Sequence, residues 1–591
     1  MKKILITFIG VITLMMGYQS CNIEPEYYSQ VSPDNFFDSQ EKVYQRFSRP
    51  FTHWASQLGN VPLSSFTATS TLSCDELIMP SRNGDWYDGG FYVNHYFHKY
   101  TPATDGYWEN AWNGFSIGVA QVWSAIEDID KNVDFDALGF PAGTRESMIN
   151  QLNVLVGYFY LVGLDHFGGV PIYTSNQGEL QPRSTDQETF DFIEKLILEA
   201  IPSLPKKQAG DAEQGYISQG TAAALLARLY FNAEPYIGKD MYSECEKVCN
   251  NIKNGNYGHY ELAQDYRDIF GFSNEICPEL MWVIPSENGK RQISAGRPEY
   301  STHYNTWIYL DNPQCMSWNG VCLVPSLDIN GKNYITERGN LGGPFKLGSP
   351  YEKFENTDVR KKNYLYLGGG QYEGMFLHGQ LINPQTGRAC TADGTREYPK
   401  GDIIAMVDQV AQLGPDIPDD PATPEDESKP RYPDGRKEGI LYAEENSGVR
   451  LMKFSPIPNE ADNSLRYNPD VPVIRFTEIQ YMLAECKYRK GDKAAAAALI
   501  NEVRARYFAT TGGDPNPVPS NFDEYRFLDE WLIEFIGEGR RRTDLIRWGK
   551  FTTESWWDHT ADGPGKEYLN RLPIPVTVMN ANSKLEQNPG Y

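Results

Sequence analysis

Apolar residues recur along the chain at helical spacing, and little of it alternates in the manner of a strand. One-sided apolar stripes run over residues 144–166, 187–202, 219–234 and 240–255. In "TAAALLARLYF" the residues Leu226, Leu229 and Tyr230 stand at i, i+3 and i+4. The stretch "RFTEIQYMLAECKYRKGDKAAAAALINEVRAR" predicts two helices. The first buries Ile479, Met482, Leu483 and Cys486 and stops at Gly491, the residue type that most easily leaves a helix. Asp492 is placed to cap the second, which buries Ala496, Leu499, Ile500 and Val503. A further helical block covers 522–550, with Leu528, Trp531, Leu532 and Phe535 as its stripe. Between these halves, over about 256–470, the text turns rich in Gly, Tyr, Asn and Pro. Long irregular segments inside a folded protein are usually functional or mobile. The helices predict a frame and the middle a working surface. Residues 414–430, "GPDIPDDPATPEDESKP", predict a disordered acidic excursion.

Short paired helices with small residues at the seam resemble tetratricopeptide units, although no strict 34-residue period is visible. Composition adds one unusual figure: 37 Tyr, 28 Phe and 12 Trp make 13% of the chain. That many tyrosines suits half-wet surfaces, where a ring packs and its hydroxyl stays solvated. The formal net charge of -24 opposes binding to a phosphate backbone, so nucleic acid is excluded as a partner class.

The start, "MKKILITFIGVITLMMGYQSC", has a basic n-region at Lys2 and Lys3 and an apolar run too short to span a bilayer. It resembles a bacterial lipoprotein signal, with residues 1–20 removed and Cys21 lipidated, although Tyr18 replaces the usual Leu. Acyl chains on Cys21 would hold the protein to a membrane. Eight further cysteines are too sparse for a disulfide scaffold, and Cys245, Cys249 and Cys486 read as small buried hydrophobes. Cys315 and Cys322 are left open as a pair.

Two aromatic stretches are the candidate binding surface. In "DELIMPSRNGDWYDGGF" the large rings of Trp86 and Tyr87 stand among turn-forming residues, a costly place for them unless something covers them. An exposed indole offers a flat apolar surface to a ligand, and Arg82, Asn83 and Asp85 beside it can bond a polar rim. The second stretch, "YSTHYNTWIYL", supplies Tyr304 and Trp307, joined by Trp318 further on. Trp282 lies in an apolar run and reads as core, and helically spaced Trp108, Trp112 and Trp123 read as packing.

Motifs for catalysis are missing. No His-Glu-x-x-His zinc motif and no Gly-x-Ser-x-Gly elbow occurs, and "LGGGQYEG" lacks the lysine of a phosphate loop. His95 and His98 stand three apart without further ligands and read as structural. "DIDKNVDFD" has Val133 where a calcium loop needs Gly, so no EF-hand is expected, while a structural calcium elsewhere is left open. No cofactor and no catalytic residue is expected.

Four stretches together resemble the SusD/RagB family of surface glycan-binding lipoproteins. The C-terminus "LPIPVTVMNANSKLEQNPGY" carries the family's Ile-Pro, then Leu585, Gln587, Asn588, Pro589, Gly590 and Tyr591. "EFIGEGRRRTDLIRWGKF" carries Glu534, Phe535, Glu538, Gly539, Asp544, Arg547 and Trp548. "IRFTEIQYMLAEC" with its following helix, and "HFGGVPIY" with "TAAALLARLYF", complete the set. The resemblance implies a mainly α fold, with four degenerate tetratricopeptide helix pairs forming a superhelical frame and a loop-rich irregular subdomain. It divides the chain into a signal peptide (1–20), an N-terminal half (21–272) and a C-terminal half (273–591). It further implies a non-catalytic protein on the outer membrane, facing the cell exterior, that passes oligosaccharide or polysaccharide to a SusC-like TonB-dependent transporter. The alternatives are a surface glycoside hydrolase with a paired acid, or a peptide- or protein-binding receptor of tetratricopeptide type. In either reading Arg547 and Glu538 are structural, placed to pair or to cap helix ends.

Overall fold

The computed structural model describes residues 36–591 except 59–62, 84, 104–106, 288–299, 314, 316, 336–343, 415–431, 433 and 455–468. The signal peptide, Cys21 and nearly all of the acidic excursion therefore lie outside the described residues. What is described is mainly α-helical, as expected.

The frame begins with α1 (Gln40–Leu58). The chain then runs through β1 (Leu77–Ile78) and the short α2 (Phe91–Tyr96) into α3 (Tyr107–Asn132). α4 (Thr144–Phe167), α5 (Asp186–Ala200), α6 (Gln219–Phe231) and α7 (Tyr242–Lys253) follow. β2 (Leu280–Ile284), the single turn α8 (Thr306–Tyr309) and β3 (Cys322–Leu323) lead into the loop-rich region. β4 (Val471–Arg475) returns to the frame, which ends in α9 (Phe476–Arg489), α10 (Lys493–Arg504), α11 (Glu524–Phe535) and α12 (Arg541–Arg547).

The long helices pack in succession: α1 on α3, α3 on α4, α4 on α5, α5 on α6, α6 on α7, α7 on α9 and α9 on α10. That succession is consistent with four helix pairs. β2 and β4 pair antiparallel and carry the chain across the loop-rich insertion, so that α9 stacks on α7. α4 is long and apolar enough to cross a membrane, yet its apolar surface is largely buried between α3 and α5, which makes it a core helix.

Local chemistry sets the helix ends. Thr185 and Glu188 form a capping box on α5, and Ser218 and Thr221 do the same on α6. Gly491 has φ 86° directly after the end of α9, and the Asp492 carboxylate accepts the Ala495 N–H at 3.0 Å to start α10. Trp282 is fully buried and stacks on Trp54 at 4.1 Å, while its indole N–H donates to Gly215 O at 3.1 Å. Trp108 and Trp112 are buried and Trp123 half-buried. All eight described cysteines carry free buried thiols, Cys315 and Cys322 included. Three of the four acids of "DIDKNVDFD" have other partners: Asp128 pairs with Arg46 at 2.7 Å, Asp130 with Arg145, and Asp134 caps the Ala137 N–H.

The signature block is held by buried charge. Arg475 meets Glu534 and Glu538 at 2.8 Å and Glu279 at 3.2 Å; Arg475, Glu534 and Glu279 are buried and Glu538 is half-buried. Arg547 bonds both oxygens of Glu485, at 2.8 and 2.9 Å, and Asp544 at 2.8 Å. The pairing expected of Arg547 and Glu538 is present. Removing Arg475 would leave Glu534 with Arg506 and Arg360, Glu279 with Arg506 and Glu538 with Lys453, a loss of buried counter-charge that costs up to about 3–5 kcal/mol.

Candidate functional site

The two aromatic stretches are far apart in sequence and meet through β1 and β3, which pair antiparallel with Leu77 opposite Leu323 and Ile78 opposite Cys322. The loop after β1 and the loop before β3 therefore leave the ladder on the same side. Arg82 fixes their position. It is expected at the rim of the binding surface, and the structure corrects this. Arg82 is only 1% exposed, and its guanidinium donates to the carbonyls of Glu444 (2.6 Å), Ser447 (3.0 Å) and Gly320 (3.1 Å). A guanidinium has five donors in a rigid fork, which suits it to bind three loop carbonyls that lack ladder partners. Burial lowers its pKa. Arg450 does similar work beside it, reaching Asn319 Oδ1 at 2.7 Å and Glu445 O at 3.0 Å.

On this base Trp86 is half-buried, neither core nor free-standing. Its backbone is left-handed, with φ 67°, an uncommon conformation for a bulky side chain. Such strain persists only where the surroundings hold it and costs about 1–3 kcal/mol. Here the indole N–H donates to Trp318 O at 2.9 Å, and the ring packs at 6.0 Å from both Tyr92 and Tyr300. Gly320 lies beneath it, where a Cβ would come within 3.1 Å of the indole. Trp318, also half-buried, meets Tyr300 edge-on at 4.8 Å. The result is a cluster of four rings, from Trp86, Tyr92, Tyr300 and Trp318, each open on part of its surface.

The polar edge comes next. Tyr304 donates its hydroxyl to Asp85 Oδ2 at 3.0 Å, and the same oxygen pairs with Arg396 at 2.8 Å. The Arg396 guanidinium also stacks 4.1 Å from the Tyr304 ring centre. Burial pushes the Tyr304 hydroxyl up to about 12, so it stays a donor. About half of the Asp85 side chain remains exposed, and Asn83 is exposed beside it. Trp307 is half-buried on α8, one helical turn beyond Tyr304, with the Arg388 guanidinium 5.9 Å from its ring and Asp311 paired to that arginine. Among the described residues no ring contact joins Trp307 to the four-ring cluster. Tyr87 turns the other way, against the core cluster that contains Ile78, Val93 and Tyr96.

Sequence reasoning missed Tyr92, Arg396 and Gly320. Arg396 sits in "GTREYP", a loop with no pattern that points to a site, so only the fold reveals it. Beneath the surface, burial keeps His303 neutral, down to about 3. Its Nδ1 accepts the Asn305 N–H, so Nε2 carries the proton and faces Glu445 at 3.0 Å. Burial pushes Glu445 up to about 7, partly opposed by Arg396. A hollow of about 400 Å³ elsewhere, between α3 and the C-terminal tail, is lined by Trp112, Tyr173 and Val578 and contains none of these residues.

A mainly helical frame thus presents half-buried rings and a polar edge on its loops. The chain belongs to the SusD family, whose model matches residues 278–591. A second family model, described as "Starch-binding associating with outer membrane", matches residues 24–231. The chain is 37% identical over 467 residues to the starch-binding protein SusD of Bacteroides thetaiotaomicron, covering 75% of this chain and 72% of that protein. Among solved structures, a laminarin-binding SusD-like protein superposes with a TM-score of 0.62 at 17% identity, covering 94% of this chain and 100% of that one. Surface glycan-binding protein A of Bacteroides thetaiotaomicron, in complex with laminarihexaose, superposes with a TM-score of 0.61 at 16% identity, covering 93% and 99%.

Proposed function

We propose that the protein is a non-catalytic, lipid-anchored receptor at the outer surface of the outer membrane. It captures a glucan and passes oligosaccharide to a SusC-like TonB-dependent transporter. The observation that carries this reading is the four-ring cluster with Asp85, Tyr304 and Arg396 at its edge. Flat, partly open rings suit the apolar faces of successive sugars, and fixed polar groups suit their hydroxyls. The names of the relatives support the substrate class, because one binds starch and another laminarin. Both are neutral glucans, in keeping with a strongly acidic chain. The description of the second family model supports the membrane association, and the Cys21 signal supplies the anchor. Partly open rings bury less of a ligand than pockets do, so affinity per site is moderate.

Calorimetry of the mature protein against soluble starch, maltooligosaccharides and laminarin, with product analysis on each mixture, tests the proposal. Binding without cleavage, weakened by Trp86→Ala or Trp318→Ala, supports capture. New reducing ends in the mixture would replace it with a hydrolase. Binding of either glucan that ignores both substitutions would move the site elsewhere.

A further inference from the structure

The donors of a second cluster lie far apart in the sequence, which explains why no motif betrays them there. His98 follows α2 directly, in the left-handed region at φ 51°. His559 and Asp562 lie in the irregular segment that follows α12, where His559 bridges Trp556. One donor atom from each of His98, His559 and Asp562 lies within 4.8 Å of the other two. His98 Nδ1 is 2.7 Å from Asp562 Oδ2, and His559 Nε2 is 3.9 Å from that oxygen, beyond hydrogen-bond reach.

The other ring nitrogens decide what these atoms can do. His98 Nε2 faces Ser73 O at 2.8 Å, and His559 Nδ1 faces Tyr96 O at 2.8 Å. A carbonyl can only accept, so each ring carries its proton on the nitrogen facing the backbone. His559 Nε2 then turns a lone pair towards Asp562, and His98 Nδ1 offers one there once the proton shared in its 2.7 Å hydrogen bond with Asp562 Oδ2 is given up on the ion's arrival. His559 is 3% exposed, and its Nε2 has no hydrogen-bond partner, an uncompensated lone pair in the interior. This is the arrangement that metal-binding histidines use: the second nitrogen is tied to a carbonyl, which fixes both tautomer and ring plane.

The rings are also held against rotation. His559 stacks on Trp556 at 4.0 Å with 6° between the planes, and His98 stacks on Phe551 at 4.2 Å. Side-chain exposure is 0% for His98, 2% for His559 and 13% for Asp562, so water reaches the group from the carboxylate side.

We propose that His98, His559 and Asp562 form a zinc site, with water as the fourth ligand on the open side of Asp562. Two imidazoles and one carboxylate suit zinc, whereas calcium and magnesium prefer oxygen alone. Tetrahedral zinc with ligands about 2.0–2.1 Å away places its donors about 3.3 Å apart. The 2.7 Å pair opens slightly to admit the ion, and the longer separations close. The ion replaces the His98–Asp562 hydrogen bond and supplies the missing partner of His559. Its role is structural, a clasp between the segment that leaves the Trp86 loop and the irregular segment after α12.

Untagged mature protein is incubated with zinc, gel-filtered and assayed for bound metal, then loaded with cobalt for visible spectroscopy. The expected results are about one zinc per chain and the intense d–d bands of a tetrahedral cobalt site. His559→Gln and Asp562→Asn each weaken zinc binding at least about tenfold, while His259→Gln, at the exposed pair with Glu261, changes nothing. Failure to retain zinc overturns the proposal, as does retention undiminished in the His559 and Asp562 variants. The cobalt spectrum of the unsubstituted protein guards against misfolded variants, because weak octahedral bands there overturn the proposal without any substitution.

Discussion

Two groups of buried carboxylates, one around the signature helices and one under the aromatic surface, behave in opposite ways. In the frame, burial alone would raise the pKa of Glu534, but Arg475, Arg506 and Arg360 hold its carboxyl at about 2. Glu538 and Glu485 are likewise held below the usual range. Under the aromatic surface the balance reverses. Burial takes Glu445 to about 7 and Asp408 to about 6, and it raises Glu397 and Glu444 as well. The buried arginines there, Arg82 and Arg450, give their donors mainly to backbone carbonyls. Charge welds the frame, whereas the loops are held by carbonyl clips and ring packing. A scaffold of this kind can change its binding surface without unfolding its support.

The largest effect comes from breaking the weld. Arg475→Ala leaves Glu534, Glu538 and Glu279 short of a partner and is expected to cost up to about 3–5 kcal/mol. Denaturant melts should show this, with glycan affinity retained in whatever fraction stays folded. A melt unchanged to within 1 kcal/mol would falsify the view that these pairs hold the frame.

Next comes the surface itself. Trp86→Ala or Trp318→Ala is expected to weaken glucan binding by about 0.5–1.5 kcal/mol per ring, roughly two- to tenfold, with little change in the melt. Gly320→Ala sharpens the point without touching a ring. Its new Cβ would stand 3.1 Å from both the Trp86 indole and the Tyr300 carbonyl oxygen, so the ring must shift by a few tenths of an ångström. Affinity should fall while stability barely moves, and an unaltered affinity would mean that the position of the indole is irrelevant.

The frame was the more legible half in the sequence. Helical period, Gly491, Asp492 and the signature block all act over a few residues, so a local pattern predicts them. The two aromatic loops were also visible, because large rings among Gly, Asn and Asp are unusual. The direction of each side chain was not. Arg82 and Asp85 lie three apart on one loop, yet Arg82 is buried and half of Asp85 is open. That outcome depends on the carbonyls of residues 320, 444 and 447, which no local pattern connects to Arg82. The same distance in sequence conceals the partnership of His98 with His559 and Asp562.

The smallest effect is the pH dependence, and its sign differs between the two settings. An unfolded Glu titrates near 4.3. For Glu534, with its folded value at about 2, the unfolded chain holds the proton between about 2 and 4.3, so stability rises with pH there and is full above it. For Glu445, with its folded value at about 7, the folded chain holds the proton between about 4.3 and 7, so its contribution falls as pH rises through that window. Glu445 is buried, and the Arg396 guanidinium opposes part of the burial penalty, so a modest slope is expected. Hydrogen exchange resolves the two: amides in α11 should gain protection from pH 2 to 4, and those around 443–447 should lose it from pH 5 to 7. A loop whose protection rises with pH in step with the frame would mean that Glu445 gains its charge without penalty, and the contrast between weld and clip would be lost.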